Sequence, residues 1–109
     1  MQKVAIISYS DGKSTLYHLN PSTGATQRSY TIPGSNNSNR FTIVGYYHDT
    51  LIVEKRDFFN GSYLFTETIG MDYTGSVRWR TPHELSKGAI TKDGYFIKPT
   101  GDHQGLYRV

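Results

Sequence analysis

Four histidines and nine carboxylates are the groups of this 109-residue chain that could move protons or hold a metal. His48-Asp49 and Asp102-His103 each set an imidazole beside a carboxylate, the raw material of a metal site or a general base. Both pairs fall where turns are predicted, and turns favour such residues for backbone reasons. His18 and His83 stand singly. Glycoside hydrolysis needs two carboxylates held apart across a cleft. Glu54 and Glu67 flank the Asn60-Gly61 turn and could oppose one another, but Lys55, Arg56 and Arg78 are competing cross-strand partners. The sequence carries no glycine-rich phosphate loop, nucleophile elbow or paired-histidine signature. With no cysteine, thiol catalysis, disulfides and thiolate-bound zinc are excluded. The expectation is a non-enzyme with no catalytic residue, no metal and no cofactor.

Aromatic residues make up 14% of the chain, nine of them tyrosine. Tyr46, Tyr47, Phe58, Phe59, Tyr63, Phe65, Tyr73 and Trp79 crowd its middle. Buried, such rings form the core; exposed, they are stacking platforms for sugars or bases. Tyr46, Tyr47 and Trp79, with Arg78 and Arg80 beside the indole, are the candidate ligand-binding residues. Phe58-Phe59 read as plugs at a sheet corner.

The elements that must position these groups are strands. Length bounds the chain to one domain, 1–109. Segments rich in β-branched and aromatic residues alternate with Asp11-Gly12, Asn20-Pro21-Ser22-Thr23-Gly24, His48-Asp49, Asn60-Gly61, Thr74-Gly75 and Asp93-Gly94 turns. The pattern predicts an all-β fold of nine or ten short antiparallel strands. The first, 3–10, is apolar on both faces and reads as an inner strand. Residues 34–40 are a polar loop without an apolar anchor. Thr81-Pro82-His83-Glu84 has the form of a capping box, which predicts one short helix near 82–87.

Net charge is +3 and the pI about 9.2, with Lys and Arg scattered. A nucleic-acid partner would call for clustered charge, so none is expected. The apolar N-terminal run is too short to cross a membrane or serve as a signal sequence, and no membrane partner is expected. Localisation stays unassigned, since chains without cysteine occur in every compartment.

The chain also repeats itself. Ser10–Leu19 aligns with Thr100–Val109, and Leu19–Arg28 with Met71–Arg80. The motifs Asp11-Gly12, Leu16-Tyr17-His18-Leu19-Asn20, Thr23-Gly24 and, in the second copy, Met71-Asp72, Thr74-Gly75 and Trp79 resemble the quinoprotein-type (PQQ-like) β-propeller repeat. Arg28-Ser29-Tyr30 stands where that repeat places its tryptophan. The resemblance implies four-stranded blades, either as a fragment of a larger propeller or as a ring completed by copies of this chain. A two-sheet sandwich or barrel fits the same strands. The function expected is a non-catalytic binding or structural module that works through protein–protein contacts. It is expected to self-associate as a homo-oligomer, in an assembly such as a virus or phage particle. The alternative is a carbohydrate-binding, lectin-like module.

Overall fold

Alternating burial along each strand shows how the sequence folds. The computed structural model describes residues 4–84, together with the backbone of 89–90, 95–100 and 103–108. The fully described part is all antiparallel β and holds seven strands in two sheets, against the nine or ten expected for the whole chain. Strands β1 (Val4–Ser10), β2 (Lys13–Leu19) and β3 (Thr26–Thr31) form one sheet in that order. Strands β4 (Asn39–Tyr47), β5 (Thr50–Phe59), β6 (Ser62–Met71) and β7 (Val77–Thr81) form the other. The backbone further along adds β8 (Ala89–Ile90), β9 (Tyr95–Thr100) and β10 (His103–Arg108) as a third sheet, ordered β10-β9-β8. Every sheet is a meander, as short turns between consecutive strands dictate.

Asp11-Gly12 and Asn60-Gly61 both take positive φ at each residue (49° and 80°, 48° and 85°). This is the twist that two-residue hairpins need and that Asp/Asn-Gly pairs allow. The two turns that echo in sequence are also alike in structure. In the first, Asn20 Oδ1 accepts from Ser22 N (2.8 Å) and Thr23 N (3.2 Å). In the second, Asp72 Oδ1 accepts from Thr74 N (2.9 Å) and Ser76 N (3.0 Å). Each closes on a glycine of positive φ, Gly24 or Gly75.

Leu16, Ile32, Phe41, Leu51, Val53, Ile69 and Met71 form one core shared by the first two sheets, with Ala5, Ile7, Tyr30, Ile43, Tyr46 and Val77 packed around it. Strand β5 is buried on both faces: Leu51 and Val53 meet this core, while Ile52 and Glu54 point the other way. On that second face Thr68 Oγ1 donates to the His83 carbonyl (2.7 Å), and Arg56 bridges Glu54 (2.8 Å) and Glu84 (2.7 Å).

Two expectations are corrected. Thr81 ends β7, paired with Thr68, and Pro82–Glu84 form a bend rather than a helix. Residues 85–87 of the expected helix lie outside the described residues. The capping signal failed because Thr81 is held in the ladder and Glu84 is committed to Arg56. Strand β1 is an edge strand of its sheet, with Ile6 half-exposed, because only one of its apolar faces meets the core. The 34–40 loop, expected to lack an apolar anchor, is held by a polar one. Buried Asn39 accepts from Asn36 N (2.9 Å) and donates to the Gly34 carbonyl (2.9 Å).

Candidate functional site

Strand register brings two groups of side chains to opposite ends of the β5–β6 hairpin. At the end where β5 begins, His18 of β2 reaches from the first sheet toward the second. Its ring is buried, 3% exposed. Nδ1 lies 3.0 Å from the Tyr46 hydroxyl and Nε2 3.2 Å from that of Tyr30. A neutral imidazole donates from one nitrogen and accepts at the other, so one tyrosine donates to His18 and the other accepts from it. Tyr73 packs at a tilt against the same ring, their centres 4.6 Å apart, and the Arg28 guanidinium lies 5.7 Å from the Tyr73 ring centre.

Burial raises the Tyr30 hydroxyl from an ordinary 10.0 to about 12, with the hydroxyl of Tyr46 and the carboxylate of Asp72 adding to the rise. The Tyr46 hydroxyl is raised by burial too. The unfolded chain therefore releases the Tyr30 proton first as pH climbs. Between those two values the unfolded state binds fewer protons than the folded state, so stability falls. Denaturant melts at pH 9 to 12 are expected to show this loss, and Tyr30→Phe to flatten it.

Beside Tyr73 the β4–β5 and β6–β7 turns enclose an open cleft of about 440 Å³ lined by Asp49, Asp72, Tyr73, Thr74 and Arg78. Arg78 Nη1 donates to Thr50 Oγ1 (2.8 Å), which fixes the guanidinium at the cleft wall. Asp72 is held below the usual carboxylate range, chiefly by the Thr74 hydroxyl (2.6 Å) and then by the backbone N–H groups of Ser76 and Thr74.

At the other end lies the hairpin tip. Phe58 pairs with Tyr63 across the ladder, their rings 5.3 Å apart, while Leu64, opposite Asp57, lies on the reverse face with Phe59. Phe58 is 51% exposed, Phe59 62%, Tyr63 39% and Leu64 51%. The tip thus projects apolar side chains from both of its faces. Nearer the body, the Arg40 guanidinium lies 3.4 Å from the Tyr9 ring centre and 5.3 Å from that of Tyr63, tying β4 to the hairpin.

The five residues singled out from sequence are not one site. Tyr46 is part of the His18 cluster and Arg78 lines the cleft. Tyr47 sits edge-on against His48 at 4.3 Å. Trp79 lies over Gly70 on the opposite face of the sheet from Tyr46. Arg80 pairs with Glu67 on the exposed surface. Glu54 and Glu67 do not oppose each other, since Glu54 is registered with Thr68 and Glu67 with Lys55. Sequence reasoning missed His18, Tyr30 and Tyr73. For His18 and Tyr30 the only signal was strand parity: Leu16 and His18 share a face, and Tyr30 stands opposite Leu16; Tyr73 lies in the β6–β7 turn, where parity gives no signal. Among the described residues no group of three or more His, Asp or Glu is placed to hold a metal ion. No protein-family model, curated protein or solved structure matches the chain.

Proposed function

We propose that this protein is a non-catalytic contact module that associates with further copies of itself through the β5–β6 hairpin tip. The observation that carries the reading is the exposure of Phe58, Phe59, Tyr63 and Leu64 together at one projecting turn. Four side chains exposed to this extent present on the order of 400 Å² of apolar surface in all, divided between the two faces of the tip. Water would be released from both faces of the tip when a second copy covers it.

The same area limits the strength of the contact. Even with both faces of both tips covered, a two-fold contact buries at most on the order of 800 Å², below the ~1,200–2,000 Å² of a stable pair. A single contact is therefore weak, with a Kd on the order of 0.1–1 mM. Such a contact is useful where many copies are arrayed, as in a particle or filament, because linked weak contacts gain by effective concentration. The layering supports a propeller-type reading of the finer arrangement: strand β5 is buried on both faces over Leu51–Glu54, as an inner strand of a blade is, and the Asn20 and Asp72 turns occupy like places in successive sheets.

Sedimentation velocity over a concentration series tests the proposal. The native protein is expected to gain mass reversibly as concentration rises toward ~1 mM. The Phe58→Ser/Phe59→Ser variant, changed only at exposed positions, is expected to stay monomeric. Equal behaviour of the two proteins contradicts the proposal.

A further inference from the structure

We propose that the cleft between the β4–β5 and β6–β7 turns binds a pyranose-type sugar. The site lies at the far end of the hairpin from the tip, roughly 30 Å away over ten strand residues, and the inference stands apart from the self-association reading. Its volume, about 440 Å³, is within the ~300–1,000 Å³ of small-ligand sites.

One wall is an aromatic platform. Tyr73 is 47% exposed, and its ring is held in place by a tilted contact with buried His18. A half-exposed ring with a fixed plane suits the C–H face of a pyranose. The other wall is polar and preset. Asp72 is gripped by three donors of its own turn, so its carboxylate stays ionised and immobile. Arg78 is fixed through Thr50, and Asp49 and Thr74 complete the rim. A sugar hydroxyl donates one hydrogen bond and accepts others, so vicinal hydroxyls match a carboxylate beside a guanidinium.

The charges argue against other small ligands. Asp49 and Asp72 are balanced by Arg78 and by Arg28 near the Tyr73 ring, so the cleft carries no net charge that would favour phosphate or sulfate. Arg78 at the carboxylates and Arg28 at 5.7 Å from the Tyr73 ring oppose a cation.

Saturation-transfer NMR on the full chain tests this. The probes are the methyl glycosides of glucose, galactose, mannose and N-acetylglucosamine, with inorganic phosphate and tetramethylammonium as comparisons. At least one glycoside is expected to receive saturation at its ring protons. Tyr73→Ala and Arg78→Met are each expected to weaken that binding about fivefold or more, and Tyr73→Phe to retain it. Amide spectra establish that each variant is folded. If Tyr73→Ala does not fold, Arg78→Met and Tyr73→Phe carry the same test. Three results would overturn the proposal: no transfer to any glycoside, transfer unchanged by the variants that fold, or phosphate or tetramethylammonium binding at the cleft in place of the sugars.

Discussion

Replacing Gly70 by alanine is expected to destabilise the protein by about 3 kcal/mol. Gly70 of β6 is registered with Trp79 of β7, and the indole covers its backbone. A Cβ added there would stand 2.3 Å from Trp79 Cε2, 2.6 Å from Cζ2 and 2.7 Å from Nε1. No carbon pair tolerates such a distance, so the ring must leave its place or the strands must part. The ladder already shifts register between Gly70 and Met71, beside this contact. Trp79 is the sole tryptophan, so its fluorescence reports both the displacement and the urea midpoint. The clash also sets a coupling. In a Trp79→Ala background the Gly70→Ala change is expected to cost well under 1 kcal/mol. Additive costs would show that the glycine is not kept free by the indole.

The second large effect is expected at His18. His18→Leu keeps approximate volume but removes the partner of two tyrosine hydroxyls, which lie on the inter-sheet side of Tyr30 and Tyr46. Leaving two part-buried hydroxyls without that partner costs about 2–4 kcal/mol, more than the net worth of the bonds themselves. Removing the hydroxyls as well, by Tyr30→Phe and Tyr46→Phe, is expected to return a good part of the loss. Urea melts of the single and triple variants decide the matter. A triple variant no more stable than His18→Leu would place the cost in packing instead. Tyr73 stands on the same ring, so the His18 variant is also expected to loosen the platform of the cleft.

Much of the fold was legible because hairpin chemistry is local. Asp11-Gly12 and Asn60-Gly61 announced their positive-φ turns, and strand boundaries over 4–81 lie within a few residues of those expected. Thr81-Pro82-His83-Glu84 misled for the opposite reason. Its pattern is local, but the fates of Thr81 and Glu84 are set by Thr68 and Arg56, both distant in sequence. The site was legible only in fragments. Tyr46 and Tyr47 are neighbours in sequence and so point to opposite faces of a strand. Trp79 and Tyr46 sit on opposite faces of the whole sheet. Which faces meet depends on how sheets stack, and no pattern within one strand encodes that. His18 is the clearest case: a single histidine between Tyr17 and Leu19, it becomes the junction of two sheets because Tyr30 and Tyr46 arrive from β3 and β4. Phe58 and Phe59 read as plugs, yet the long β5–β6 ladder carries them beyond the core into solvent.

The claim that the hairpin tip is the contact surface is tested most directly by amide chemical shifts of the native protein followed from dilute to concentrated solution. Residues 57–65 are expected to shift together and saturably with concentration, while the Asp72–Arg78 turn at the far end stays still. The same series on Phe58→Ser/Phe59→Ser is expected to show no movement at the tip. Shifts that concentrate elsewhere, or a spectrum that does not change with concentration, would contradict the account.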